Sequence, residues 1–127
     1  MTLSDYFEKA NGKGIIATAD AKGKVGMAVY ARPHFINEKT AVFIMADRLM
    51  HKNLQSNPSA SYLFLADGPR YKGKRLYLTK IKEEKDSDLV NQLRRQGCCP
   101  VDESYKQGQR FVVYFKVNKV LPLIGAK

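Results

Sequence analysis

The sequence contains no tryptophan and has only two cysteines and two histidines among its 127 residues. The cysteines are neighbours, Cys98 and Cys99. Adjacent cysteines strain the peptide between them when they join, so no disulfide is expected. Two thiols with no histidine close by are too few for a structural zinc site. They read as reduced residues near a helix end, and no metal site is expected. No apolar run approaches the roughly 20 residues that carry a helix across a bilayer. The opening Met1-Thr2-Leu3-Ser4-Asp5-Tyr6 lacks the basic flank and apolar core of a secretory signal. These absences point to the cytoplasm and away from a membrane.

Acidic residues are also scarce, 12 against 22 basic ones, which leaves a net charge of +10. Such an excess favours anionic partners: nucleic acid, acidic membranes or phosphorylated small molecules. The charge is spread along the chain, densest over residues 70–85 and interrupted there by Glu83 and Glu84. No zinc-finger, basic-helix or RNA-recognition signature accompanies it, so nucleic acid is not the expected partner. The length suits one domain over residues 1–127.

What is present reads as short elements. Residues 2–10 form a helix, with Thr2 and Asp5 spaced as a capping box and Leu3, Tyr6 and Phe7 inward. Strands follow over 14–19 and 25–31, joined by the turn Asp20-Ala21-Lys22-Gly23-Lys24, and a third over 41–46. Pro33 argues against unbroken pairing through Arg32. A helix over 48–56, with Leu49 and either Met50 or Asn53 on one side, stops at Asn57-Pro58. Strands over 60–65 and 74–81 come next, then a helix capped by Asp86 or Ser87 and ending near Gly97. The last strand, 110–121, alternates Val113, Phe115 and Val117 against Tyr114, Lys116 and Asn118. Short connections make the sheet antiparallel, and six strands of this length favour a small barrel. The fold class is therefore mainly β, a six-stranded antiparallel barrel with short helices.

The chemistry concentrates at the third strand and its helix, Ile44-Met45-Ala46-Asp47-Arg48-Leu49-Met50-His51-Lys52. A helix N-terminus with its free N–H groups attracts an anion. Lys52 adds a full charge there, and His51 or Arg48 adds a donor. Neither His34 nor His51 shows an acidic partner nearby in sequence, and no nucleophile, acid or base is nominated. A Ser-His-Asp order, a metal cluster and a Gly-rich phosphate loop are not found.

The run from Phe43 to Pro58 resembles the phosphate-binding strand and helix of the pyridoxamine 5'-phosphate oxidase-like FMN-binding split barrels. Gly14-Ile15-Ile16-Ala17-Thr18-Ala19-Asp20, the Gly23 turn and residues 25–31 are similar to the opening hairpin of that family. Gly73-Lys74-Arg75-Leu76-Tyr77-Leu78-Thr79 is similar to the strand that reaches the flavin. The resemblance implies a split β-barrel, FMN as cofactor and a homodimer sharing the flavin between subunits. It also implies a flavin-dependent oxidoreductase acting on a small molecule, with a non-enzymatic flavin carrier as the alternative; the basic charge leaves a nucleic-acid-binding barrel as a third reading behind both. Haem or deazaflavin binding also occurs within that superfamily.

Carried onto this chain, the resemblance sets His51 and Lys52 on the phosphate. Backbone of Val29, Tyr30, Ala31 and Arg32, and of Ile44, Met45 and Ala46, would border the ring. Arg75 would lie near the pyrimidine end or the phosphate. Two departures narrow the reading. Ala46 stands where many relatives place a hydroxyl residue, and the terminal Trp and Arg segment of the pyridoxamine phosphate oxidases is missing. Vitamin B6 oxidation is therefore not expected.

Overall fold

The computed structural model describes residues 2–85 and 110–125. The helix expected after Asp86 and the pair Cys98 and Cys99 lie outside the described residues. The first helix, α1 (Leu3–Lys9), starts where the Thr2 hydroxyl accepts the Asp5 N–H at 3.1 Å, the bond that an N-cap residue supplies. It buries Phe7, which stacks on Phe35 with ring centroids 5.6 Å apart. Then come β1 (Gly12–Ala19) and β2 (Val25–Tyr30). Their turn is closed by the Asp20 carboxylate, which accepts the N–H groups of Lys22 and Lys24 at 2.9 Å. Gly23 supplies the turn's positive φ of 86°.

The remaining elements are β3 (His34–Asn37), β4 (Thr40–Ala46), α2 (Leu49–Ser56), β5 (Ser59–Ala66), β6 (Gly73–Lys85) and β7 (Arg110–Pro122). They form one seven-stranded sheet in the order β2-β1-β5-β6-β7-β4-β3. Every pairing is antiparallel.

The two edge strands, β2 and β3, are consecutive in the chain and joined only by Ala31, Arg32 and Pro33. From Tyr30 to His34 the backbone spans at most about 14 Å. Laid flat, the sheet's outer strands would stand about 29 Å apart. The sheet must therefore curl until its edges approach, which gives an open barrel rather than a closed one. The expected six strands become seven because a new strand begins directly after Pro33, whose missing N–H had marked the place as a break.

Ile16, Phe43, Tyr62, Phe64 and Phe115 fill the interior, with Phe43 edge-on to Phe115 at 5.7 Å. Simple alternation fails in β4 and β7. Val42, Ile44, Val112 and Tyr114 are buried as well as their inward neighbours. The second helix also turns differently from the sequence expectation: Met50, His51, Asn53 and Leu54 are buried while Leu49 is 58% exposed. The cause is Gly26 on β2, where an added Cβ would lie 2.8 Å from Met50 Cε. The absent side chain lets the first turn of α2 settle on the sheet. Asn53 Nδ2 then donates to Thr18 Oγ1 at 3.1 Å and fixes the helix to β1.

Candidate functional site

At the end of β4 the chain turns sharply, with the Arg48 N–H donating to the Ala46 carbonyl at 2.8 Å. Arg48 is the N-cap of α2 in extended conformation and makes no side-chain cap bond, and the first turn holds no acidic residue. The first N–H groups of a helix have no partner within it and carry its positive dipole end. Here, among the described residues, the N-cap side chain leaves them uncapped. Between this helix end and β6 and β7 lies a cavity of about 690 Å³. Arg48, Lys52 and Lys85 bring positive charge to its wall, Asp47 and Glu83 bring carboxylates, and Leu49 and Phe111 give it an apolar side.

His51 is buried beside this cavity, its ring stacked on Phe111 with centroids 3.9 Å apart and planes 13° from parallel. Its Nδ1 lies 3.3 Å from Asp47 Oδ1 and its Nε2 lies 2.9 Å from Glu83 Oε2. Gln55 Nε2 donates to Glu83 Oε1 at 2.9 Å and to the His51 carbonyl at 3.0 Å. Lys80 forms an ion pair with the same Glu83 carboxylate. Burial pushes the Glu83 carboxyl up, but hydrogen bonds from Lys80, Gln55 and His51, with the charge of His51, bring it down to about 2. This overturns the expectation that His51 has no acidic partner near in sequence, since Asp47 precedes it by four residues. The spacing was a readable signal for Asp47 and equally for Gln55, four residues after His51 in α2; Glu83 and Phe111 had none, because only the fold brings β6 and β7 to α2.

Both nitrogens of His51 thus face carboxylates, and its place is that of a strut between α2 and β6. Lys52 and Arg48 make no ion pair among the described residues. Met45 and Ile44 are buried within β4, and Ala46 ends it half-buried at the same corner. Val29 and Tyr30 close β2, with Ala31 and Arg32 in the link beyond. Tyr30 stands four residues along β2 from Gly26, about 13 Å from the contact with α2. Arg32 Nη1 donates to the Ala10 carbonyl at 2.5 Å.

Arg75 is held elsewhere. Its Nε donates to the Pro122 carbonyl at 2.8 Å and its Nη2 to the Gly125 carbonyl at 2.6 Å. The register Val29–Ile15–Leu63–Arg75 sets it on the outer sheet face, in one row with Val29. The structure therefore brings Ala46, His51 and Lys52 together and leaves Arg75 away from that corner. The outer face is apolar along β2, where Val25, Met27 and Val29 are 66%, 68% and 76% exposed. Among the described residues no helix is long and apolar enough to cross a membrane.

Solved structures share this architecture. An FMN-binding protein from Syntrophomonas wolfei superposes with a TM-score of 0.77 at 15% identity, over 98% of this chain and 85% of its own. The fold is the same. An F420 reductase matches with a TM-score of 0.71 at 11% identity, over 95% of this chain and 98% of its own. A putative pyridoxamine 5'-phosphate oxidase from Lactobacillus delbrueckii matches with a TM-score of 0.67 at 17% identity, covering 95% and 93%. At these identities the likeness is one of fold. No protein-family model and no curated protein matches the chain.

Proposed function

We propose that the protein binds FMN and works as a flavin-dependent oxidoreductase on a small molecule. In this reading it is a cytoplasmic homodimer whose subunits are single domains over residues 1–127. One observation carries the proposal: the N-terminus of α2, without a side-chain cap bond from Arg48 and with Arg48 and Lys52 in no ion pair among the described residues, opens on a cavity in a fold shared with an FMN-binding protein.

A phosphate monoester fits that donor set, since backbone N–H groups, a guanidinium and an ammonium all donate, and the two carboxylates on the same cavity, Asp47 and Glu83, are engaged by His51. Lys52 and Arg48 hold the phosphate directly. His51, engaged by Asp47 and Glu83, keeps the helix end in place. The ring lies along residues 29–32 and the end of β4. Among the described residues β2 is an edge strand, so its outer side faces no further strand and lies open to a heterocycle's polar rim. Bound FMN supplies the electron-accepting chemistry, and the chain supplies position and charge. The exposed strip of Val25, Met27 and Val29 is the face on which a second subunit docks, with Arg75 on the same side of the sheet.

The test is an FMN titration followed by flavin fluorescence, then addition of NADH or NADPH. Saturable quenching is expected, and reduction of the bound flavin separates an enzyme from a carrier. A protein that leaves FMN fluorescence unchanged yet binds RNA in a salt-sensitive way would overturn the proposal.

A further inference from the structure

We propose a second ligand site, for a small organic carboxylate with an apolar body, in the cavity between α1 and the link from β2 to β3. This cavity measures about 400 Å³, within the roughly 300–1,000 Å³ typical of small-molecule sites. Phe7, Pro33 and Phe35, all buried, form its apolar side, and Ser4, Glu8, Arg32 and His34 bring polar groups to it.

Arg32 decides the chemistry. Its guanidinium is half-buried and, among the described residues, anchored by one bond, from Nη1 to the Ala10 carbonyl at 2.5 Å. Among the described residues no carboxylate lies within ion-pair distance of it. A partly desolvated cation without a counter-ion is costly, and the bond to Ala10 leaves further N–H donors of the fixed fork to offer. The Ser4 hydroxyl and the His34 imidazole, both half-buried on the same cavity, also make no side-chain hydrogen bond among the described residues.

Unpartnered polar groups that converge over an aromatic wall are what a ligand pocket presents. A carboxylate matches the guanidinium fork in two parallel hydrogen bonds, with Ser4 or His34 as an additional donor. The apolar body then packs on Phe35 and Pro33. Glu8 sets the limit on charge: its carboxylate on the same cavity opposes a dianionic phosphate more than a monoanion. The site uses the Arg32 side chain, whereas the flavin reading uses only backbone there, and it takes nothing from α2. It stands or falls independently of FMN.

Benzoate is the probe, and the imidazole resonances are the readout. The chain holds two histidines, so His34 reports on the cavity and His51 serves as the internal reference. Benzoate is expected to shift the His34 signals saturably, leave those of His51 in place, and bind more tightly than inorganic phosphate. Arg32→Gln should weaken benzoate at least about tenfold. If that variant does not fold, Arg32→Lys, which keeps the charge and loses the fork, should still weaken it several-fold. Unmoved or non-saturating His34 signals, equal affinity in the folded Arg32 variant, or phosphate binding as tight as benzoate would each overturn the site.

Discussion

Lys52 and His51 are neighbours with different duties. Lys52 is exposed at the cavity and in no ion pair among the described residues, while His51 is buried between two carboxylates. Lys52→Ala should therefore weaken FMN binding by about 1.5–3 kcal/mol, the worth of a charge-assisted hydrogen bond. Equal fluorescence-quenching titrations for variant and wild type would contradict this. Glu83 makes a separate prediction through pH. Its folded carboxyl titrates at about 2 against an ordinary value of 4.5. The stabilisation it gives is thus complete above that ordinary value and lost as pH falls through the lower one. Denaturant unfolding over that window should show a smaller loss of stability in Glu83→Gln than in wild type; identical losses would count against the strut. Sequence exposed half of this arrangement. The interval from Asp47 to His51 was there to be read, but the long-range partner on β6 depends on the sheet order.

At the scale of elements, most strands were legible as short apolar runs set off by turns that glycine, proline, Asn or Asp mark. Two features were not. The strand β3 is only four residues long and follows a proline, so local pattern reads as a loop. The face of α2 was misjudged because Leu49 appears the natural inward residue. A glycine on a distant strand, Gly26, gives that place to Met50 instead. Glycine matters again at Gly14, where an added Cβ would fall 1.8 Å from Tyr62 Oη and 2.3 Å from Cζ. Tyr62 is almost fully buried, so its ring has little room to yield. Gly14→Ala should lower the free energy of unfolding by about 1–3 kcal/mol, and an unchanged urea midpoint would show that the ring moves freely.

For the whole molecule, the decisive constraint is the short link between opposite sheet edges. It curls the sheet and sets the apolar strip of β2 outward. Antiparallel pairing and a barrel-like form could be read from short connections. The opening in the barrel could not, because it depends on which strands end as neighbours. If the strip is a subunit interface, the wild type should have a dimer's mass by light scattering and Val29→Lys should approach a monomer's. A monomeric wild type would remove the interface.

The phosphate at the start of α2 remains the central claim, and a comparison of FMN with riboflavin on the wild-type protein tests it most directly. The two ligands share the ring and differ in the phosphate. FMN should bind at least about tenfold more tightly, as expected for one or more charge-assisted contacts. Equal affinity for the two would contradict the phosphate site.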